Sequence, residues 1–322
     1  MGSIAQPAST TTKPTRDGFG EGLVELGKTD PNVVVLSGDL EDSTRAIWFK
    51  EKYPERFFQI GIAEQNMIGT AAGLALSGKI PFACSFGVFV TGRAWEHIRT
   101  SVCNMNLNVK IGGSHCGVSV GADGTTAEAM EDIAIMRAQV NMTVLVPCDA
   151  VEAKKAAIAA ANHSGPAYIR FGRSAVLTLT EEKTPFVVGK ANWLREGKDV
   201  TVIACGIMVG HALEAAKQLS KEGIETEVIN MHTVKPIDRK AIVETARKTG
   251  AIVTAEEHSV IGGLGGAVAE VVTEEFPVPM KRVGIQDRIG ESGTPGELLK
   301  LFHLLPEDIV QAAQDVIRRK KG

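Results

Sequence analysis

What most constrains this chain is an alternation. Short apolar runs bounded by Gly or Pro recur along it, and between them lie stretches whose small and apolar positions return at helical spacing. The runs are NVVVLSG (32–38), KIPFACSF (79–86), NVKIGG (108–113), MTVLVP (142–147) and AYIRFG (167–172). Each is short and apolar at consecutive positions, the pattern of a strand covered on both faces. The segments NMIGTAAGLALSG, GRAWEHIRTSV, AEAMEDIAIMRAQ and DAVEAKKAAIAAA read as helices, the last with Asp149 as its N-cap. So many strand–helix–strand repeats predict an α/β fold with a doubly wound parallel sheet.

Around 174–196 the period dissolves among Thr, charges and a Pro, and then a second series begins. DVTVIACG, a helix from about Val209, IETEVINM, a helix after Asp238, AIVTAEE, a helix through GGAVAEVV, PMKRVG and a last helix opened by Pro306 and Glu307 repeat the alternation. The expected organisation is a disordered tail at 1–14, a first domain at 15–174, a linker at 175–196 and a smaller α/β domain at 197–322. A chain of 322 residues has room for two such domains.

Composition narrows the partners. With 35 basic and 38 acidic side chains the net charge is 35 − 38 = −3, without the basic excess of a nucleic-acid-binding domain. The segment MGSIAQPASTTTKPT lacks a secretory apolar core, and no window approaches the roughly 18 apolar residues of a membrane span. Five dispersed cysteines without a C-x-x-C pair fit reduced thiols. A cytoplasmic protein with no nucleic-acid or membrane partner is expected.

Ligands of open α/β sheets bind beyond the carboxyl ends of strands. Three clusters fall there: SGDLEDST with Asp39 and Ser43, RFFQIGIAEQNM ending near Glu64, and GGSHCGVSVGADGTTAE with His115 and Asp123. Singly, each has a structural reading. Glu64 suits the first turn of a helix, Asp39 a turn, Ser43 or Thr44 a helix cap, and His115 a hydrogen-bonded core position. Neither the glycines at 121–124 nor GGLGG at 262–266 has the spacing of a nucleotide fingerprint.

Together the pieces are more specific. IAEQNM, SFGVFVTGRAWEHIR, GSHCGVSVGADGTTAEAMEDIA, VPCDAVEA, HTVKPIDR and ESGTPGELLKLF, in this order, closely resemble the C-terminal half of transketolase, from about Thr15 to the last helix. The G-D-G motif with a later Asn, which in that family marks the diphosphate- and metal-binding half, has no match here. The chain therefore looks like the separate C-terminal subunit of a split transketolase. The resemblance implies a pyrimidine-binding domain of the thiamine-diphosphate type followed by a transketolase C-terminal-type domain.

It also implies a chemistry: transfer of a two-carbon ketol unit from a ketose phosphate to an aldose phosphate, with thiamine diphosphate as cofactor. Mg²⁺ and the diphosphate would be held by an N-terminal transketolase-like partner, in an assembly of two plus two chains, and this chain alone would be inactive. Glu64 falls on the glutamate that pairs with the aminopyrimidine ring and drives its proton exchange. Phe86 and Phe89 match aromatics flanking that ring, where a third aromatic of many relatives is replaced by Gly92 and Arg93. Asp39 matches an acidic residue beside the cofactor, and Arg16, Ser43, His115 and Arg173 match the groups that hold the sugar phosphate. Asp123 matches the carboxylate reading the substrate hydroxyl. Ala127 stands where many microbial relatives have His. No metal ligand is expected in this chain, and no catalytic residue in the C-terminal domain, where His258 reads as structural. The alternatives are the beta subunit of a 2-oxo acid dehydrogenase first component and a non-catalytic scaffold for a thiamine-diphosphate enzyme.

Overall fold

The computed structural model describes residues 11–321. Its strands are β1 (Thr12–Pro14), β2 (Val33–Ser37), β3 (Phe57–Gln59), β4 (Ile80–Phe86), β5 (Lys110–Ser114), β6 (Thr143–Leu145), β7 (Ala167–Arg170), β8 (Ala175–Leu177), β9 (Asn192–Arg195), β10 (Val200–Ala204), β11 (Thr226–Asn230), β12 (Thr233–Lys235), β13 (Ile252–Ser259) and β14 (Met280–Ile285). The first sheet has the order β12-β6-β7-β5-β4-β2-β3, parallel except for the edge pair β12–β6. The second has the order β14-β13-β10-β11-β9, parallel except for β9.

The apolar runs become strands because both faces are covered. Along β2, Val33 and Val35 enter one core with Phe19, Leu23, Phe49 and Phe82, while Val34 and Leu36 enter the opposite core with Met67, Ile68, Val90 and Ile98. Burying each such side chain contributes about 1.5–3 kcal/mol, so the register is strongly fixed. On the first face the helix Thr15–Thr29 lies close against Ala150–Asn162. A Cβ on Gly18 would stand 1.8 Å from the Ala150 carbonyl oxygen, so only Gly permits this approach. Asp149 caps the second of these helices, accepting from the Glu152 N–H at 2.8 Å as its sequence position suggests. The opposite core continues into the second domain through Ile203, Ile229, Met231 and Leu264, so the two domains share packing. The outer face of the second sheet packs Val200, Val202 and Val253 against the helices Met208–Lys221 and Pro306–Lys321.

The structure departs from the sequence expectation in places. Residues 1–10 of the expected tail lie outside the described residues, but 12–14 form β1, antiparallel to β8 in the expected linker. The linker also contains β9, an edge of the second sheet, so it is not a structureless tether. β12, placed by sequence in the second domain, adds to the first sheet. In GRAWEHIRTSV the wide turns Phe89–Arg93 and Ile98–Cys103 flank a single tight one, and in AEAMEDIAIMRAQ only Asp132–Arg137 is helical. The preceding residues serve the loop that follows β5.

Candidate active site

Glu64 is the first residue of the helix Glu64–Leu76 and is only 2% exposed. Ser85, at the end of β4, donates to it at 3.4 Å, and the Arg93 guanidinium lies at 3.3 Å from its other oxygen. Both contacts are long, so the carboxyl group keeps acceptor capacity that burial makes costly to leave unused. The wide turn Phe89–Arg93 folds Arg93 back over the Phe89 ring, 4.3 Å from its centroid. Widened turns of this kind are concentrated at functional positions. Phe86 and Phe89 are half-buried with centroids 5.8 Å apart and planes 19° from parallel, and Phe86 stacks on His115 at 4.0 Å.

His115 follows β5 with φ +56°, and Asp39 follows β2 with φ +64°, both in the left-handed region. Such backbone costs of order 1–3 kcal/mol outside glycine and concentrates at functional sites. The His115 ring pairs with Ser114 Oγ at 2.8 Å. Burial, reinforced by Arg16, Arg173 and Arg45, pushes its pKa down to about 3, so the imidazole is neutral at physiological pH. Arg16 donates to the Ser43 carbonyl at 3.2 Å, and its Nε is buried without a partner. Burial and Arg45 lower the Arg16 pKa, partly offset by Asp17, with Arg173 adding to the lowering. Three guanidinium groups thus act on a neutral histidine, and while Arg45 and Arg173 are paired with carboxylates, Arg16 keeps an unpartnered donor suited to a phosphate oxygen. Arg173 also pairs with Asp123 at 3.1 Å.

The structure brings Glu64, Phe86, Phe89 and His115 into one contiguous chain of contacts through Ser85 and Arg93, with Arg16, Arg173 and Asp123 on the adjoining electropositive side. Asp39 is exposed at the rim, where its N–H donates to Gln59 Oε1 at 2.9 Å. Ser43 is half-buried and enters through its carbonyl. Sequence reasoning missed Arg45, held by Asp17 at 2.7 Å. It also missed the pairing of Arg93 with Glu64, although the substitution of Gly92 and Arg93 for an aromatic marked that edge. His258 is structural: its Nδ1 meets the Ser259 carbonyl at 2.7 Å, its Nε2 accepts from the Ala134 N–H, and burial holds it neutral with a pKa of about 4.

A buried carboxyl with free acceptor capacity beside two aromatic faces fits a heteroaromatic ring that carries a hydrogen-bonding nitrogen. No group of three or more His, Cys, Asp or Glu among the described residues is arranged to hold a metal ion. No helix among them is long and apolar enough to cross a membrane.

Comparison with known proteins identifies the two domains. The family model of the transketolase pyrimidine-binding domain matches residues 11–177, and that of the transketolase C-terminal domain matches 189–309. A putative transketolase C-terminal section from Methanocaldococcus jannaschii is 45% identical, covering 96% of this chain and 98% of its own. The 6-deoxy-6-sulfo-D-fructose transketolase subunit SqwH of a Clostridium species is 45% identical over 95% of each chain. A solved structure described as a split-gene transketolase, inactive beta4 tetramer, superposes with a TM-score of 0.90 at 51% identity, covering 95% of this chain and 99% of that one. With both domain models in sequence order and relatives of this identity over nearly their full length, the chain belongs to the transketolase family.

Proposed function

We propose that this chain is the C-terminal subunit of a split, thiamine-diphosphate-dependent transketolase that moves a two-carbon ketol unit from a ketose phosphate donor to an aldose phosphate acceptor. It works in the cytoplasm with a separate N-terminal-type polypeptide that grips the diphosphate and Mg²⁺, in an assembly of two chains of each kind. The observation that carries the reading is Glu64, a carboxyl buried at a helix start beside Phe86 and Phe89.

Thiamine diphosphate, when bound, supplies the electron sink needed to cleave a carbon–carbon bond next to a carbonyl. Glu64 holds a proton at the aminopyrimidine nitrogen, which needs both its length and its acidity. Phe86 and Phe89 orient the ring by stacking, worth roughly 0.5–1.5 kcal/mol beyond burial. Arg16 and Arg173, with Ser43, bind the phosphate, and the unpartnered Arg16 Nε supports an anion at that place. Neutral His115 positions the substrate oxygen near the reacting carbon, and Asp123 accepts from the adjacent hydroxyl. With Ala127 at 127, no side chain there carries the proton for the acceptor, and water or the partner chain takes that role. The relative named for 6-deoxy-6-sulfo-D-fructose also handles a sugar with an anionic end, consistent with the arginine cluster.

The test is calorimetry of thiamine diphosphate and Mg²⁺ on this chain alone and after mixing with the N-terminal transketolase-like polypeptide, with Glu64→Ala as control. Tight binding and ketol transfer only in the mixture are expected. Turnover by the isolated chain, or no binding in either sample, overturns the reading.

A further inference from the structure

The loop after β5 carries His115 and Asp123 on either side of a tight turn, Val118–Val120. Glycines in the left-handed region bound this turn, Gly117 at φ +80° and Gly121 at φ +85°. The turn does not rest on its own domain alone. Glu257, from β13 of the C-terminal domain, accepts the Ser119 N–H at 2.5 Å and is only 4% exposed. A Cβ on Gly117 would stand 2.2 Å from the Glu257 carboxyl carbon, so the carboxylate occupies the space that glycine leaves. Ser174 closes the other side of the turn by donating to the Ser119 carbonyl at 2.7 Å.

The rest of the loop lies on the same domain. A Cβ on Gly121 would meet the Gly293 carbonyl oxygen at 3.3 Å, and one on Gly124 would meet Ser292 Oγ at 2.2 Å. The segment beneath is fixed by the Thr294–Glu297 capping box. Strand alternation makes the assignment specific to Glu257. Its neighbour Glu256 points the other way and accepts from the Leu264 and Gly265 N–H groups of its own domain, both at 2.7 Å.

We propose that Glu257 is a positioning residue for the substrate loop: the C-terminal domain, through this carboxylate, fixes the turn at Ser119 and thereby the placement of His115 and Asp123 toward the sugar. The proposal rests in part on the split-transketolase reading, and one arm of its test does not.

The first arm is hydrogen exchange on the full chain. Glu257→Ala is expected to raise exchange of the amides at 116–121 about tenfold, because the turn loses a bond to a buried acceptor. Glu257→Gln keeps a carbonyl oxygen in place and restores protection. Glu256→Gln, which replaces one of two acceptor oxygens inside its own domain by a donor, leaves those amides unchanged while lowering the melting temperature. The second arm is kinetics of the reconstituted complex. Glu257→Ala is expected to raise the KM for the sugar phosphate donor about tenfold, with a smaller change in kcat and unchanged thiamine diphosphate affinity. Should Glu257→Ala not fold, Glu257→Asp, one methylene too short, is expected to act in the same direction. Unchanged exchange in a folded Glu257→Ala chain, or an equal response to Glu256→Gln, overturns the proposal. A wild-type complex without turnover removes the functional reading, and the exchange arm still decides this one.

Discussion

The two domains are built alike and end their strands differently. In the first, β2 and β5 run into Asp39 and His115, non-glycine residues held in left-handed backbone, whereas in the second β10 runs into Gly206, which takes φ +56° at no comparable cost. The first domain gathers Arg16, Arg45 and Arg173 around a neutral histidine. The second uses Glu227 and Glu256 on itself, the former bonded to Thr201, Thr245 and Lys248 and the latter capping the helix Leu264–Glu275, and reaches the first domain through Glu257. One architecture thus supports a site that gathers backbone strain and leaves the Arg16 Nε without a partner, and a buttress whose buried carboxyl groups are bonded to protein.

The sharpest way to break that comparison is to neutralise one buried carboxylate in each domain. Glu64→Gln is expected to lower turnover of the reconstituted complex by about 10²–10⁴-fold with circular dichroism unchanged. Glu227→Gln is expected to leave turnover intact and cost about 1–3 kcal/mol in denaturant unfolding. Equal kinetic effects from the two would erase the distinction. A step smaller, Arg173→Ala should lower kcat/KM for a phosphorylated donor by about 10–100-fold, and Arg173→Lys should recover little of it, since a point charge cannot replace the guanidinium fork. Comparing phosphorylated with unphosphorylated donors checks this, because an equal loss for both would move Arg173 away from the phosphate.

Arg93→Ala probes the edge where the resemblance led to an aromatic side chain and the sequence has Gly92 and Arg93. Arg93 lies where it must compete with any ring stacked on Phe89 and bonded to Glu64, and its half exposure keeps the pairing weak. A gain of about threefold in thiamine diphosphate affinity by calorimetry is expected, and a loss would instead make Arg93 part of the cofactor's support.

The smallest effect is one of pH on stability. Burial raises Glu257 to a pKa of about 7 despite Arg170, with Asp132 adding to the rise. The native state therefore keeps this proton between about pH 4.5 and 7 while the unfolded chain releases it, so stability from Glu257 falls as pH rises through that window. Glu257→Gln carries no such linkage. Its melting temperature relative to the wild type should climb from pH 5 to pH 7.5, and a constant difference across that range would contradict the buried, proton-holding carboxyl.

Much of this was legible in the residues. The five apolar runs at 32–38, 79–86, 108–113, 142–147 and 167–172 each contain a strand, because a stretch apolar on consecutive positions is stable only with both faces covered. Glu64, Phe86, Phe89 and His115 were legible as motif positions, and the structure joins them. The short edge strands β1, β3, β8 and β9 were not, since each is partly exposed and carries no apolar run to announce it, nor was β12, which is buried but only three residues long.

What the sequence determined by itself is therefore local: which segments bury two faces, which bury one, and where a turn or cap must stand. Asp149 capping its helix belongs to that layer. Only the tertiary structure decided that Arg93 faces Glu64 across 29 residues, and that Glu257 reaches Ser119 across 138. Periodicity specifies a face but not what meets it. The approach of two distant polar groups is fixed by the packing of whole helices and sheets, in which their own side chains are a small part of the free energy.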